Sequence, residues 1–149
     1  MTDTNADDER ITDAGTSGEP GEFFEEGTFN DWLGLEVDRD AAGRVVLSTG
    51  LDRRKQNPGG VMHGGVTASL IDVAGGMAIG LSEAVEGDTR ATTSLDVEYL
   101  RPITDDPRAV AEVLRVGSTN AVSRVDVFST APDGTEKLVA VGTATYQLG

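Results

Sequence analysis

Between His63 and Glu83 the chain carries one charged residue, Asp72, in a run otherwise made of apolar and small side chains. Val66, Leu70, Val73, Met77 and Leu81 recur at the spacing of one apolar stripe on a helix. The opposite side is apolar as well, though small, with Ala68, Gly75 and Ile79. A helix of this kind, expected from about Gly64 to Ser82, is apolar almost all round and has to be buried. Gly75 and Gly76 each cost about 1 kcal/mol against alanine in a helix interior, which predicts close approach by another backbone. The rest of the chain must therefore supply a cover.

The cover reads as strands. After the polar loop Glu83 to Thr89, Thr93, Leu95, Val97 and Tyr99 alternate with Thr92, Ser94, Asp96 and Glu98, and Arg101-Pro102 ends the run. Val110 to Val116, Ala121 to Ser129 and Lys137 to Gln147 follow, separated by turns at Gly117 to Asn120 and Pro132-Asp133-Gly134. Upstream, Leu35 to Arg39 and Arg44 to Thr49 form a hairpin through Asp40-Ala41-Ala42-Gly43. Turns this short exclude parallel crossovers, so the expected class is α+β, an antiparallel sheet with one long buried helix. No internal repeat is visible.

The 149 residues fit one domain, over 21–149, behind an acidic segment at 1–20 that has too little apolar surface to order itself. Phe23-Phe24 and Phe29 to Leu33 are aromatic enough to dock, with a short helix within 22–33. A formal charge of −14 argues against nucleic acid. With no cysteine and one histidine, thiol chemistry and a zinc site are not expected, and no metal or cofactor is implied. No run approaches the ~18 apolar residues of a membrane span, and the acidic N-terminus does not read as a signal peptide, so the expected location is the cytoplasm.

The chemistry-bearing residues gather around the start of the helix. His63-Gly64-Gly65 presents no Ser, Thr, Asp or Asn cap, so its first N–H groups face either water or a ligand oxygen. Asp72 shares a helical face with Gly65, Ser69 and Gly76, a row of small residues with room beside it. A lone acid on an apolar helix needs a partner or a use. Asn57, before Pro58, is either a turn residue or a positioning amide. No Gly-x-Ser-x-Gly elbow is present. Arg53-Arg54-Lys55 concentrates three of the twelve basic residues. They are either solvated loop charges or, with Arg101, a receiver for phosphate.

Asn57 six positions ahead of His63, the His63-Gly64-Gly65 helix start and Asp72 nine beyond the histidine together resemble the signature of hotdog-fold acyl-CoA thioesterases. Within these, the phenylacetate-pathway (PaaI-like) branch is the most similar. The resemblance runs from Trp32-Leu33-Gly34 to the C-terminal strand and includes Ser94 to Pro102. It implies hydrolysis of a small aromatic or medium-chain acyl-CoA, with CoA as part of the substrate and no separate cofactor. The Gly64 N–H would polarise the thioester carbonyl. Asp72, contributed across a dimer interface, would be nucleophile or general base. Asn57 would position the carbonyl or a water, and His63 would orient the loop. Gly65 and Thr92 or Thr93 would line the substrate, and Arg53, Arg54, Lys55 and Arg101 would meet the nucleotide phosphates. The assembly would be a homodimer or a dimer of dimers. One departure is Gly76, where related enzymes often carry a hydroxyl one turn beyond the acid. A hotdog hydratase or dehydratase, and a non-catalytic acyl-CoA-binding module, are the alternative readings.

The acidic excess is either that of an ordinary acidic domain with an acidic tail or the device by which halophiles keep proteins soluble, and the second reading predicts adaptation to a salty cytoplasm. Refolding yield is expected to rise with KCl concentration; full recovery without salt would contradict this.

Overall fold

The computed structural model describes residues 24–149, so the expected acidic tail and the front of the 22–33 segment lie outside the described residues. The chain begins with a short helix α1 (Phe29–Leu33), capped by Thr28 and closed by Gly34 at φ 67°. The hairpin β1 (Glu36–Arg39) and β2 (Val45–Ser48) follows, then a 3-10 turn at Arg53–Lys55 and the long helix α2 (Gly64–Gly80). Four strands complete the order: β3 (Thr89–Tyr99), β4 (Arg108–Val116), β5 (Asn120–Thr130) and β6 (Glu136–Leu148). They form one six-stranded sheet in the order β1-β2-β4-β5-β6-β3, antiparallel at every pairing. A single sheet wrapped against one central helix is the hotdog arrangement that the resemblance implies.

The helix lies close to the sheet because small residues meet there from both sides. A Cβ on Gly75 would stand 3.0 Å from the Ala144 methyl and 3.3 Å from Ser123 Cβ. A Cβ on Gly142 would stand 2.9 Å from Ile71. The Ser123 hydroxyl, fully buried, donates to the Gly75 carbonyl at 2.9 Å, so this contact leaves no orphaned polar atom on the serine. Leu70, Ile71, Leu47, Val125 and Val127 fill the space around these contacts.

The buried face of α2 differs from the stripe of largest side chains. Thr67, Ile71, Ala74, Gly75, Ala78 and Ile79 are buried with Val66 and Leu70, whereas Val73, Met77 and Leu81 are only partly covered. The sheet selects for small residues, and the helix is rotated so that part of its bulky stripe stays at the surface, beside Asp72. No helix among the described residues is long and apolar enough to cross a membrane.

Gly75→Ala is expected to cost about 1–3 kcal/mol, because the added methyl has no space against Ala144 and Ser123. Gly80→Ala meets only Thr89 Oγ1 at 3.8 Å, and should be neutral or gain up to about 1 kcal/mol of helix propensity. Urea midpoints of the two variants measure the difference; equal losses would contradict the packing account.

Candidate active site

The loop before α2 is a tight hairpin. The Asn57 N–H donates to the Val61 carbonyl at 2.8 Å, and the Asn57 side-chain oxygen accepts from Gly59 N at 2.9 Å and Val61 N at 3.4 Å. Asn57 is therefore a turn residue through its amide oxygen. Its Nδ2 donates to no described residue and is the half that a substrate can use. The His63 N–H donates to the Lys55 carbonyl at 2.7 Å and Met62 N to Ile103 O at 2.9 Å, which ties this loop to both flanking segments.

The helix start is capped, contrary to the expectation from sequence. His63 is the N-cap, and its Nδ1 accepts from the Gly65 N–H at 2.9 Å. That role requires an unprotonated Nδ1 and leaves Nε2 as the N–H. The ring thus has a backbone partner two residues on, and it does not pair with Asp72, against the direct His–acid pair a hydratase would use. With Gly65 N occupied, the Gly64 N–H is the donor that meets no acceptor among the described residues. The Tyr99 hydroxyl donates to the Gly64 carbonyl at 2.7 Å and braces the same peptide from the strand side.

The basic island is smaller than it looks in sequence. Lys55 is 3% exposed, and its ammonium donates to Leu33 O at 2.7 Å, Thr49 Oγ1 at 2.8 Å and Gly50 O at 2.9 Å. All three ammonium protons are used, so Lys55 is a structural cation closing the end of α1 and does not receive phosphate. Arg54 pairs with Asp52 at 3.2 Å and lies over the Trp32 ring, 5.2 Å from its centroid. Arg53 is exposed beside Gln56, Asn57 and Pro58, and Arg101 is exposed just past β3.

Asp72 sits one side of the helix away from the sheet core, half-buried, and Oδ1 collects two hydroxyls. Thr92 Oγ1 donates to it at 2.6 Å. The Tyr146 hydroxyl lies 2.9 Å from Oδ1 and 2.8 Å from the Asp72 carbonyl, one proton shared between two acceptors. Oδ2 accepts from no described residue. Thr92 reaches the acid because of a bulge in β3. Its register is Thr92 opposite Tyr146 but Ser94 opposite Thr145, with Thr93 as the extra residue. Strict alternation would put Thr93 on the face of Leu95, Val97 and Tyr99; the bulge puts Thr92 there and turns Thr93 outward, to Thr145 O at 3.3 Å.

Tyr146 was not singled out by sequence reasoning. It lies 74 positions from Asp72, and the one sign of it is a hydroxyl-bearing aromatic in the last strand, at the end where the chain meets the helix. Its phenol is pushed up to about 12, first by burial and then by the neighbouring Asp72 charge, against a lowering from its contact with Thr92. Next to Asp72 opens a cleft of about 570 Å³, lined on its apolar side by Phe24, Val73, Met77 and Leu81. Among the described residues no group of acidic or histidine side chains is arranged to hold a metal ion.

The arrangement thus offers a carboxylate with one oriented and one free oxygen, an apolar cleft beside it, and an unpaired N–H at a helix start. The carboxylate and the N–H belong to one helix but stand apart. Asp72 lies eight positions after Gly64, or about 12 Å along the axis, so one chain cannot bring both to a single carbonyl.

Comparison with known proteins finds a match of residues 59–135 to the family model described as thioesterase superfamily. A protein of Halobacterium salinarum provisionally designated an esterase is 37% identical over 124 residues, spanning 78% of this chain and 82% of its own length. Human acyl-coenzyme A thioesterase 13 is 32% identical over 111 residues, spanning 73% of this chain and 76% of the human protein. Among solved structures, zebrafish thioesterase superfamily member 2 superposes with a TM-score of 0.72 at 33% identity, covering 87% of this chain and 92% of that one.

The Tyr146 phenol gives a pH signature. Folded and unfolded chains both hold its proton below the ordinary value of 10.0. From there to about 12 the folded protein keeps the proton while the unfolded chain releases it, so this contribution to stability is lost as pH rises through that window. Tyr146→Phe should flatten the decline in urea midpoint across it; identical slopes in variant and wild type would contradict the burial assigned to the phenol.

Proposed function

Since this chain belongs to the thioesterase superfamily and is a thioester hydrolase, we propose that it cleaves acyl-CoA carrying a small aromatic or medium-chain acyl group, on a site shared between two copies of the chain. The observation that carries this reading is the Asp72 carboxylate, held by two hydroxyls at Oδ1 and open at Oδ2 to an apolar cleft. The likeness to human acyl-coenzyme A thioesterase 13 supports acyl-CoA as the substrate class.

In this reading the thioester carbonyl of a substrate lying against Asp72 accepts a hydrogen bond from Gly64 N–H of the second copy. The negative charge that develops on the carbonyl oxygen during attack meets that donor and the positive end of the helix. Asp72 Oδ2 either attacks the carbonyl carbon, giving an acyl-aspartate anhydride that water then opens, or takes a proton from a water that attacks instead. In both routes the C–S bond breaks, the CoA thiolate leaves and is protonated, and a carboxylate is released. Asn57 Nδ2 orients the carbonyl or the water, and Gly65 keeps the approach to the helix start clear. His63 acts on the loop and helix end through its cap.

The separation of Gly64 from Asp72 on one helix supports the shared site. So does β3, an edge strand of eleven residues with Leu95 and Tyr99 exposed, beside partly covered Val73 and Met77. Such an edge asks for a partner strand. A homodimer satisfies it, and a dimer of dimers is compatible with it. Arg53 and Arg101 are the phosphate contacts in this reading, with Arg54 committed to Asp52 and Trp32.

Gly64→Pro is a direct test. Proline suits the first position of a helix, and His63 at φ −62° and ψ 135° is a backbone that a following proline accepts. The change removes one N–H, its Cβ standing 3.3 Å from the Tyr99 hydroxyl, which has to shift by a few tenths of an ångström, and it should lower kcat by ~10²–10³. Asp72→Asn should abolish hydrolysis of acyl-CoA. Mixing the two inactive variants should restore about a quarter of wild-type activity, because half the dimers then hold one intact site. No restoration on mixing would place both groups in one chain and overturn the shared site. Activity persisting in Asp72→Asn would overturn the role of the acid. Arg53→Glu with Arg101→Glu should raise KM for acyl-CoA and leave a short N-acetylcysteamine thioester unaffected.

A further inference from the structure

We propose that Tyr146 is a positioning residue of this reaction, and that Gly76 is glycine in order to admit it: the phenol, with Thr92, fixes Asp72 Oδ1 so that Oδ2 faces the substrate. The inference rests on Asp72 being the acting carboxylate, as proposed above.

Three observations carry it. First, the Tyr146 hydroxyl touches Asp72 twice, at its carbonyl (2.8 Å) and at Oδ1 (2.9 Å), which pins the side chain to its own backbone. A carboxylate on a half-exposed helix face otherwise rotates about its two side-chain torsions. Second, Thr92 and Tyr146 are cross-strand partners, and the bulge at Thr93 sets the threonine hydroxyl beside the phenol on Asp72. Two donors from adjacent strands converge on one oxygen and leave the other unused. Third, a side chain at position 76 and the phenol exclude each other. A Cβ on Gly76 would overlap the Tyr146 hydroxyl and stand 2.5 Å from ring carbon Cζ and 2.9 Å from Cε2. Glycine in a helix interior is unfavourable, and the three atoms nearest to a Cβ added at Gly76 all belong to Tyr146. The hydroxyl that a residue one turn beyond the acid might supply from the helix is supplied here from β6, 74 positions away in sequence.

The test is steady-state kinetics on acyl-CoA for Tyr146→Phe, Thr92→Val, the double variant and Thr92→Ser, with urea midpoints for each. Tyr146→Phe keeps the ring and removes one oxygen, so the protein stays folded. The expected result is a kcat lowered about ten-fold or more with KM within about two-fold, as for loss of an orienting contact. The double variant should fall to the level of Asp72→Asn, and Thr92→Ser, which keeps its donor, should retain most of the activity. Gly76→Ala should reproduce the kcat loss of Tyr146→Phe by displacing the ring. Unchanged kcat in Tyr146→Phe, or a loss tracking the fraction unfolded, would overturn the proposal while Asp72→Asn remains inactive. If Asp72→Asn is itself active, the reading of Asp72 fails first and this inference falls with it.

Discussion

The close seat of α2 on the sheet is the constraint on which both the core and the site depend. Gly75 faces Ala144 and Ser123, and Gly142 faces Ile71, so the two layers meet through positions with little or no side chain. Interiors are packed densely enough that a single added methyl at such a point lifts one layer from the other. Lifting α2 would also draw Asp72 away from Thr92 and Tyr146, which reach it from β3 and β6. Stability and the orientation of the acid are therefore set by the same few small residues. The rotation that brings those residues to the sheet leaves Val73, Met77 and Asp72 on the outer side of the helix, where a ligand or a second chain can reach them.

A buried cation has a comparable role beside the start of α2. In a chain of net charge −14, Lys55 is enclosed by Leu33 O, Thr49 Oγ1 and Gly50 O. Its side chain joins α1 to the end of β2, while its carbonyl accepts from His63 N. The loop that carries Asn57 and the helix start at Gly64 thus hang from a fixed point instead of from a flexible stretch of glycines. An ammonium satisfied by three oxygens is costly to remove, because the carbonyls it serves would be left buried without a donor.

The strands, the hairpins and the long helix were legible from periodicity, because each segment keeps one repeat over its length. The spacing of Asn57, Gly64 and Asp72 was legible for the same reason, since all three lie on one continuous loop and helix. What escaped has physical causes. A bulge has no periodic signal, so alternation assigned Thr93 to the face that Thr92 occupies. Size alone picked Val73, Met77 and Leu81 as the core stripe, whereas the sheet required the smaller side. Histidine is an uncommon N-cap, so the helix start read as bare although Nδ1 closes it. Lys55 looked like its arginine neighbours, and only the fold turns it inward. Tyr146 could not be connected to Asp72 at all without the pairing of β6 with β3.

The two glycine pairs of α2 show why a helix this apolar is also the place where chemistry is held. At Gly64-Gly65 the absent side chains leave one N–H capped by His63 and its neighbour open, so a substrate oxygen can approach the backbone itself. At Gly75-Gly76 the absent side chains serve two different partners on adjoining faces, Ala144 in the core and the Tyr146 phenol at the edge of the cleft. Each departure from good helix propensity corresponds to something brought close, and their costs are offset by burial along the rest of the face. The pairs also stand too far apart to serve one carbonyl in one chain. The shared site proposed above answers that separation, with the helix start of one copy and the acid of the other meeting one substrate.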